Sequence, residues 1–265
     1  MSDTEQKHPS LKVEMLGVGY TSKKDDIPVI NGVNFDLYPG ELNAIVGING
    51  IGKSTLLRTL GNAQPKLSGS IFIDKKSMEV YRPAELSTKI SMVLTEPIAS
   101  KNLSVIELVA LGRQPYTNWI GTLTQTDISK IKEALQHLEL EELEHKKCYE
   151  LSDGQLQRVM IARALAQDTS IVLLDEPTTH LDLYHKVQIL KLLKSIAHST
   201  QKTIVFTTHE IEMAIQLCDR MLLLDGEENP FGQPCDLIRQ KAFESLFPSD
   251  TVSFDAETGS FRIEK

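Results

Sequence analysis

Gly47-Ile48-Asn49-Gly50-Ile51-Gly52-Lys53-Ser54 decides the reading of this chain. The stretch fits the pattern G-x-x-x-x-G-K-[ST], a loop whose backbone N–H groups turn inward around phosphate oxygens. Its flanks supply the context the pattern needs. Leu42 to Val46 is an apolar run, which predicts a buried strand, and Thr55 to Leu60 reads as the start of a helix. Glycines permit the tight backbone path, and a helix N-terminus adds partial positive charge toward an anion. In that setting Lys53 is expected to reach the outer phosphates of a nucleotide, and Ser54 to ligate Mg²⁺. The expected phosphate-binding set is Gly47, Ile48, Asn49, Gly50, Ile51, Gly52, Lys53, Ser54 and Thr55.

A second acidic element follows. Ile171-Val172-Leu173-Leu174 is a buried-strand pattern that ends in Asp175 and Glu176. In open α/β sheets ligands bind beyond the C-terminal ends of parallel strands, so both carboxylates fall at the ligand edge. Asp175 is expected to hold Mg²⁺ and Glu176 to act as general base toward water. Leu151-Ser152-Asp153-Gly154-Gln155 precedes a strong helical pattern. Ser152 and Gln155 alone make a capping box, S-x-x-Q. Capping does not require Gly154, whereas close backbone approach to a phosphate does.

Composition bounds the class. The 265 residues are 41% hydrophobic and 24% charged, with a net charge of −8. Such a chain is an ordinary globular sequence of one large or two small domains. The acidic balance argues against a nucleic-acid surface. No apolar run approaches the ~18 residues of a membrane span, and the polar start Met1-Ser2-Asp3-Thr4 does not read as a signal peptide. Cys148, Cys218 and Cys235 show no metal spacing and fit a reducing compartment.

The pattern along the chain predicts strands over 11–20 and 32–38, with a polar loop Ser22–Asp26 between them, and further strands over 69–74 and 90–94. Helical periodicity covers 104–112 and 126–140, where Ile128, Ile131, Leu135 and Leu138 recur at helical steps. Helices over 154–166, 184–197 and 210–217 then alternate with strands over 171–174, 203–207 and 220–224, as βαβ units of a parallel sheet. A short helix near 236–246 and a hairpin turning at Ala256-Glu257-Thr258-Gly259 complete the reading.

These motifs, in this order, resemble the ATP-binding-cassette (ABC) ATPases over about residues 11 to 246. The resemblance implies an α/β P-loop NTPase cassette with an antiparallel β lobe and a helical lobe. The whole chain, 1–265, would be one nucleotide-binding domain, with the helical lobe at about 97–165 and a C-terminal extension at about 234–265. It implies that Leu151 to Gln155 is the signature motif, whose Ser152, Asp153, Gly154 and Gln155 face ATP held by a second cassette. It places Tyr20 against adenine, Asp182 in the D-loop and His209 as the switch histidine. Leu111-Gly112-Arg113-Gln114-Pro115-Tyr116, and Glu176 to Leu183 with His185, are similar to the ATPases of importers for ferric siderophores, haem and cobalamin.

The implied activity is ATP hydrolysis coupled to transmembrane transport, with ATP and Mg²⁺ as ligands. The implied partners are two transmembrane permease subunits, a second copy of the chain in a head-to-tail homodimer and, indirectly, a substrate-binding protein, but no nucleic acid. The implied place is the cytoplasmic face of the inner membrane. An exporter subunit, or a non-transport cassette acting on nucleic acid or ribosomes, is the alternative. Two positions depart from the family. Asp153 stands where the signature usually has glycine. Thr95 aligns with the usual Gln, with Glu96 as its neighbouring candidate, and is the expected contact to Mg²⁺ or its water. His180 and His185 read as polar residues at a helix start rather than as metal ligands.

Overall fold

The computed structural model describes residues 8–21, 25–96, 100–247 and 250–263. In chain order come β1 (Leu11–Thr21), β2 (Asp26–Leu37), β3 (Leu42–Val46), α1 (Lys53–Leu60), β4 (Ser68–Ile73), β5 (Lys76–Ser77), α2 (Pro83–Leu86) and β6 (Ile90–Val93). A helical stretch follows, with α3 (Val105–Ala110), a 3-10 turn over Leu111–Tyr116, α4 (Gln125–His137) and α5 (Asp153–Ala166). The remainder is β7 (Ile171–Leu174), α6 (Leu183–Thr200), β8 (Thr203–Thr208), α7 (Ile211–Leu217), β9 (Arg220–Leu223), β10 (Phe231–Gly232), α8 (Pro234–Arg239), β11 (Val252–Asp255) and β12 (Ser260–Ile263).

The strands sort into a six-stranded sheet, order β10-β9-β3-β8-β7-β6, and a four-stranded antiparallel sheet, order β2-β1-β4-β5. In the large sheet β9, β3, β8, β7 and β6 run parallel, and only β10 is antiparallel. Every residue of β3, β7 and β8 is buried. This is why β7 reads as a continuous apolar run and β3 and β8 as mostly apolar or β-branched ones, since a parallel sheet is covered on both faces. In β3, Ala44 and Val46 face a core shared with α4, α5 and α6. Ile45 faces the opposite core, shared with α1 and the antiparallel sheet. The fold class read from the sequence therefore holds, with the antiparallel lobe on one face and the helical stretch on the other. Among the described residues no helix is long and apolar enough to cross a membrane.

Several boundaries differ from the sequence reading. The second strand begins at Asp26, not 32, because residues 26–30 pair with Val18–Thr21 at an edge where half the side chains face water. Ser22 to Lys24 of the expected loop lie outside the described residues. The helix expected over 126–140 ends at His137, and Glu139 takes a left-handed φ of 55°. Ile131, Leu135 and Leu138 are buried as expected, but Ile128 is exposed, at the edge of the helix face that buries Asp127, Ile131 and Ala134. The helix expected near 236–246 is two pieces, broken at Lys241 with φ 59°. The terminal hairpin turns where expected, with Gly259 at φ 65°. Its Phe254 and Phe261 pack on Phe243 and Phe247, and the Phe261 N–H donates to Glu212 of α7 at 2.8 Å.

Candidate functional site

The site is assembled at the C-terminal ends of β3, β7 and β8. β3 leads into the 47–54 loop, and Gly52 caps α1 with φ 112°. A side chain there would strike Val29, 2.6 Å from the added Cβ, so both conformation and space demand glycine. The first helical bond closes from the Leu56 N–H onto Gly52 O at 2.9 Å. The amides at the head of α1 therefore lack intrahelical partners and are free for an anion. Lys53 folds back over the loop and donates to Gly47 O at 3.0 Å and Ile48 O at 3.1 Å. Its Nζ also lies 4.0 Å from Glu176 Oε1. Burial pushes the Lys53 ammonium below the ordinary lysine range, while Glu176 and Asp175 pull it back up. Binding a polyanion there would relieve that penalty.

Asp175 is buried. Its Oδ1 accepts from Ser54 Oγ at 2.9 Å and from Thr207 Oγ1 at 2.7 Å. Its Oδ2 is buried with no hydrogen-bond partner. A buried carboxylate oxygen left unpaired is costly, and a hard cation satisfies it. An oxygen donor set of Asp175 and Ser54 beside a phosphate loop suits Mg²⁺, so the residues present fit that ion.

Glu176 holds a left-handed φ of 44°. Its N–H donates to Thr207 Oγ1 at 2.8 Å, and its Oε2 accepts from Thr179 Oγ1 at 3.0 Å. Its Oε1 is 3.6 Å from His209 Nδ1. Lys53, Ser54, Asp175, Glu176 and His209, separated by up to 156 positions in the chain, thus meet in one cluster. Tyr20, 55% exposed, reaches Thr55 Oγ1 with its hydroxyl at 3.2 Å, beside the phosphate loop.

The other expected residues sit further out. Thr95 and Glu96 are exposed and line a cleft of about 230 Å³ with Asp153, Gln157, Asp175, Glu176 and Thr179. Glu96 pairs with Arg58 of α1 at 2.9 Å. Ser152 and Gln155 make the reciprocal capping box at the head of α5, at 3.3 and 3.1 Å. A Cβ on Gly154 would meet only Leu181 and His185, at 3.5 and 4.0 Å, so nothing within one chain demands glycine there. No hydrogen bond among the described residues links Ser152, Gly154 or Gln155 to Lys53 or Glu176. Asp182 caps α6 and accepts from the His185 N–H and ring at 2.9 Å. These bonds, the backbone one foremost, hold its carboxyl below the usual range.

Sequence reasoning did not assign Thr207 or Thr179. The available signal was a hydroxyl at the end of the apolar run Ile204-Val205-Phe206. Nor did it see what Gly112 and Arg113 do. A Cβ on Gly112 would lie 2.1 Å from the Arg163 carbonyl oxygen, so the 3-10 turn must be glycine where it crosses α5. Arg113 is buried, paired with Asp127 at 2.8 Å and donating to Ala166 O at 2.7 Å.

A phosphate loop at the head of α1, the buried Asp175 with Glu176 at the end of β7, and a capped helix across the cleft define a nucleotide-hydrolysing cassette. Comparison with known proteins agrees. The profile of the family described as ABC transporter matches residues 30–179. That span covers the phosphate loop, Ser152 to Gln155 and the Asp175-Glu176 pair. The iron(3+)-hydroxamate import ATP-binding protein FhuC of Bacillus subtilis is 34% identical over 215 residues, 81% of this chain and 78% of that protein. An inward-facing transporter assigned to the metal-chelate type superposes with a TM-score of 0.77 at 30% identity, covering 97% of this chain and 96% of that one. The dimeric ABC transporter cassette MJ0796 gives 0.71 at 31% identity, covering 84% and 98%, and a second structure of that cassette holds ADP and phosphate. The chain belongs to the ABC transporter ATP-binding family. It is an ATP-binding ATPase.

Proposed function

We propose that this chain is the ATP-hydrolysing subunit of an importer for iron chelates of the siderophore class. Two copies would work head to tail under two membrane-spanning subunits, with a substrate-binding protein delivering the cargo. The observation that carries the ATPase site is the pairing of an unpartnered, buried Asp175 Oδ2 with a free helix head at α1. Mg²⁺, when bound, would neutralise phosphate charge. Asp175 and Ser54 would hold it. The amides of the 47–55 loop and Lys53 would bind the phosphates, and the Tyr20 ring would cover the base. Glu176, steadied by Thr179, would orient water for attack, with His209 beside it. Ser152, Asp153, Gly154 and Gln155 would close the partner copy's site, which accounts for a glycine at 154 that the single chain does not need. Asp182 would sit beside that junction. Thr95 and Glu96 would report the nucleotide state to the permease through the Arg58 link. On this reading the protein sits at the cytoplasmic face of the membrane as one nucleotide-binding domain.

The chelate class rests on the import proteins it resembles and on the Leu111–Tyr116 segment. The test is ATPase activity of the purified chain and iron(3+)-hydroxamate uptake in cells lacking it. Lys53→Ala is expected to abolish both. Near-normal ATPase in a folded Lys53→Ala protein would falsify the site. Normal hydroxamate uptake in cells lacking the chain would overturn the cargo class alone.

A further inference from the structure

Thr207 is fully buried near the end of β8, between Phe206 and a second buried threonine, Thr208. β7 and β8 run parallel with Leu174 opposite Phe206, so the next residues on each strand, Asp175 and Thr207, lie side by side. A hydroxyl has one proton to give and lone pairs to accept with, and Thr207 uses both capacities on the site. It donates to Asp175 Oδ1 at 2.7 Å and accepts the Glu176 N–H at 2.8 Å. Ser54 Oγ fills the remaining place on Oδ1, and Oδ2 is left free. The Glu176 backbone sits at φ 44°, a conformation that a side-chain-bearing residue rarely holds without support.

We propose that Thr207 is a positioning residue for both carboxylates: one hydroxyl fixes the Asp175 side chain with Oδ2 turned to the metal position, and pins the Glu176 amide so that its carboxylate stays against Thr179, His209 and Lys53. The proposal rests on the reading of Asp175 as metal ligand and Glu176 as the water-orienting base. A single oxygen on one strand thereby fixes groups that the neighbouring strand carries. An apolar residue of the same shape would fill the space but would leave the Glu176 N–H and one Asp175 contact unmade.

Thr207→Val keeps the volume and removes the hydroxyl, and Thr207→Ser keeps the hydroxyl. One control and three readouts separate positioning from packing. ATP binding in EDTA should be unchanged in both variants, because the phosphate loop is untouched. Mn²⁺ binding in the presence of a non-hydrolysable ATP analogue, followed by electron paramagnetic resonance, should weaken roughly 10- to 100-fold in Thr207→Val, the scale for losing a hydrogen bond to a charged group. The value for kcat should fall by a similar factor while the KM for ATP moves little. Amide exchange at Glu176 should quicken in Thr207→Val, and Thr207→Ser should restore all three to within about threefold. Wild-type Mn²⁺ affinity and kcat in Thr207→Val would overturn the proposal, as would equal defects in the Ser and Val variants. Should Thr207→Val fail to fold, Thr207→Ser and Thr207→Ala differ only in the oxygen and make the same comparison. Absence of Mn²⁺ binding in the wild-type protein would instead remove the reading on which the proposal stands.

Discussion

Replacing Arg113 by Met should destabilise the chain far more than any surface change, without touching the chemistry. Arg113 and Asp127 are only 4% and 3% exposed at their side chains and lie 2.8 Å apart. The guanidinium also donates to the Ala166 carbonyl at the end of α5 and stacks 3.9 Å over the Tyr116 ring. Met fills much of the same volume but strands a buried carboxylate. Breaking a buried pair from one side costs about 3–5 kcal/mol. The orphaned carbonyl adds about 1 kcal/mol. Against a typical total of about 5–15 kcal/mol, that is a large share. Asp127 keeps its bonds from the Thr124 N–H at 2.8 Å and hydroxyl at 2.6 Å.

Those Thr124 bonds first, and Arg113 second, hold the Asp127 carboxyl below its ordinary value of 3.8. A depressed folded-state pKa contributes stability that is present above the unfolded value and is lost as pH falls through the folded one. Urea unfolding should therefore show a gap of several kcal/mol between wild type and Arg113→Met at pH 7. The gap should hold down to about pH 4 and shrink below it. A gap under about 1 kcal/mol at pH 7, or one unchanged at pH 2–3 where both proteins still fold, would refute the reasoning.

Two further outcomes concern the chemistry. Glu176→Gln should slow hydrolysis by roughly 10²-fold or more and accumulate an ATP-bound dimer, visible by size-exclusion chromatography, and rapid turnover by a monomeric variant would remove the base role. Asp153, exposed in the first turn of α5, is favourable there by about 0.3–1 kcal/mol. Asp153→Gly should lower the melting temperature slightly, yet leave ATP-dependent dimerisation in the Glu176→Gln background equal or tighter. Markedly weaker dimerisation would show that the carboxylate makes a favourable contact across the interface rather than repelling the partner's nucleotide.

The sequence by itself determined the parts whose physics is local. Gly52 is required by a positive φ, Ser152 and Gln155 cap a helix three residues apart, and the apolar run at 171–174, with the largely apolar one at 42–46, reads as doubly covered strands. From these the parallel sheet, the phosphate loop and the Asp175-Glu176 pair followed, because spacing along the chain fixes each of them. Only the tertiary structure decided what depends on meetings between distant segments. The edge pairing that extends β2 back to Asp26 is one such meeting. The meaning of Gly112 and Arg113 is another. As sequence they pointed to an importer subclass, but in the fold they are a close crossing and a buried ion pair that tie α4 to α5. Thr207 is the sharpest case. A threonine after Ile204-Val205-Phe206 shows only a hydroxyl at the end of an apolar run and names no partner for it. Its role exists because parallel pairing sets it beside Asp175, 32 residues away in the chain, where a buried hydroxyl finds the partners it needs.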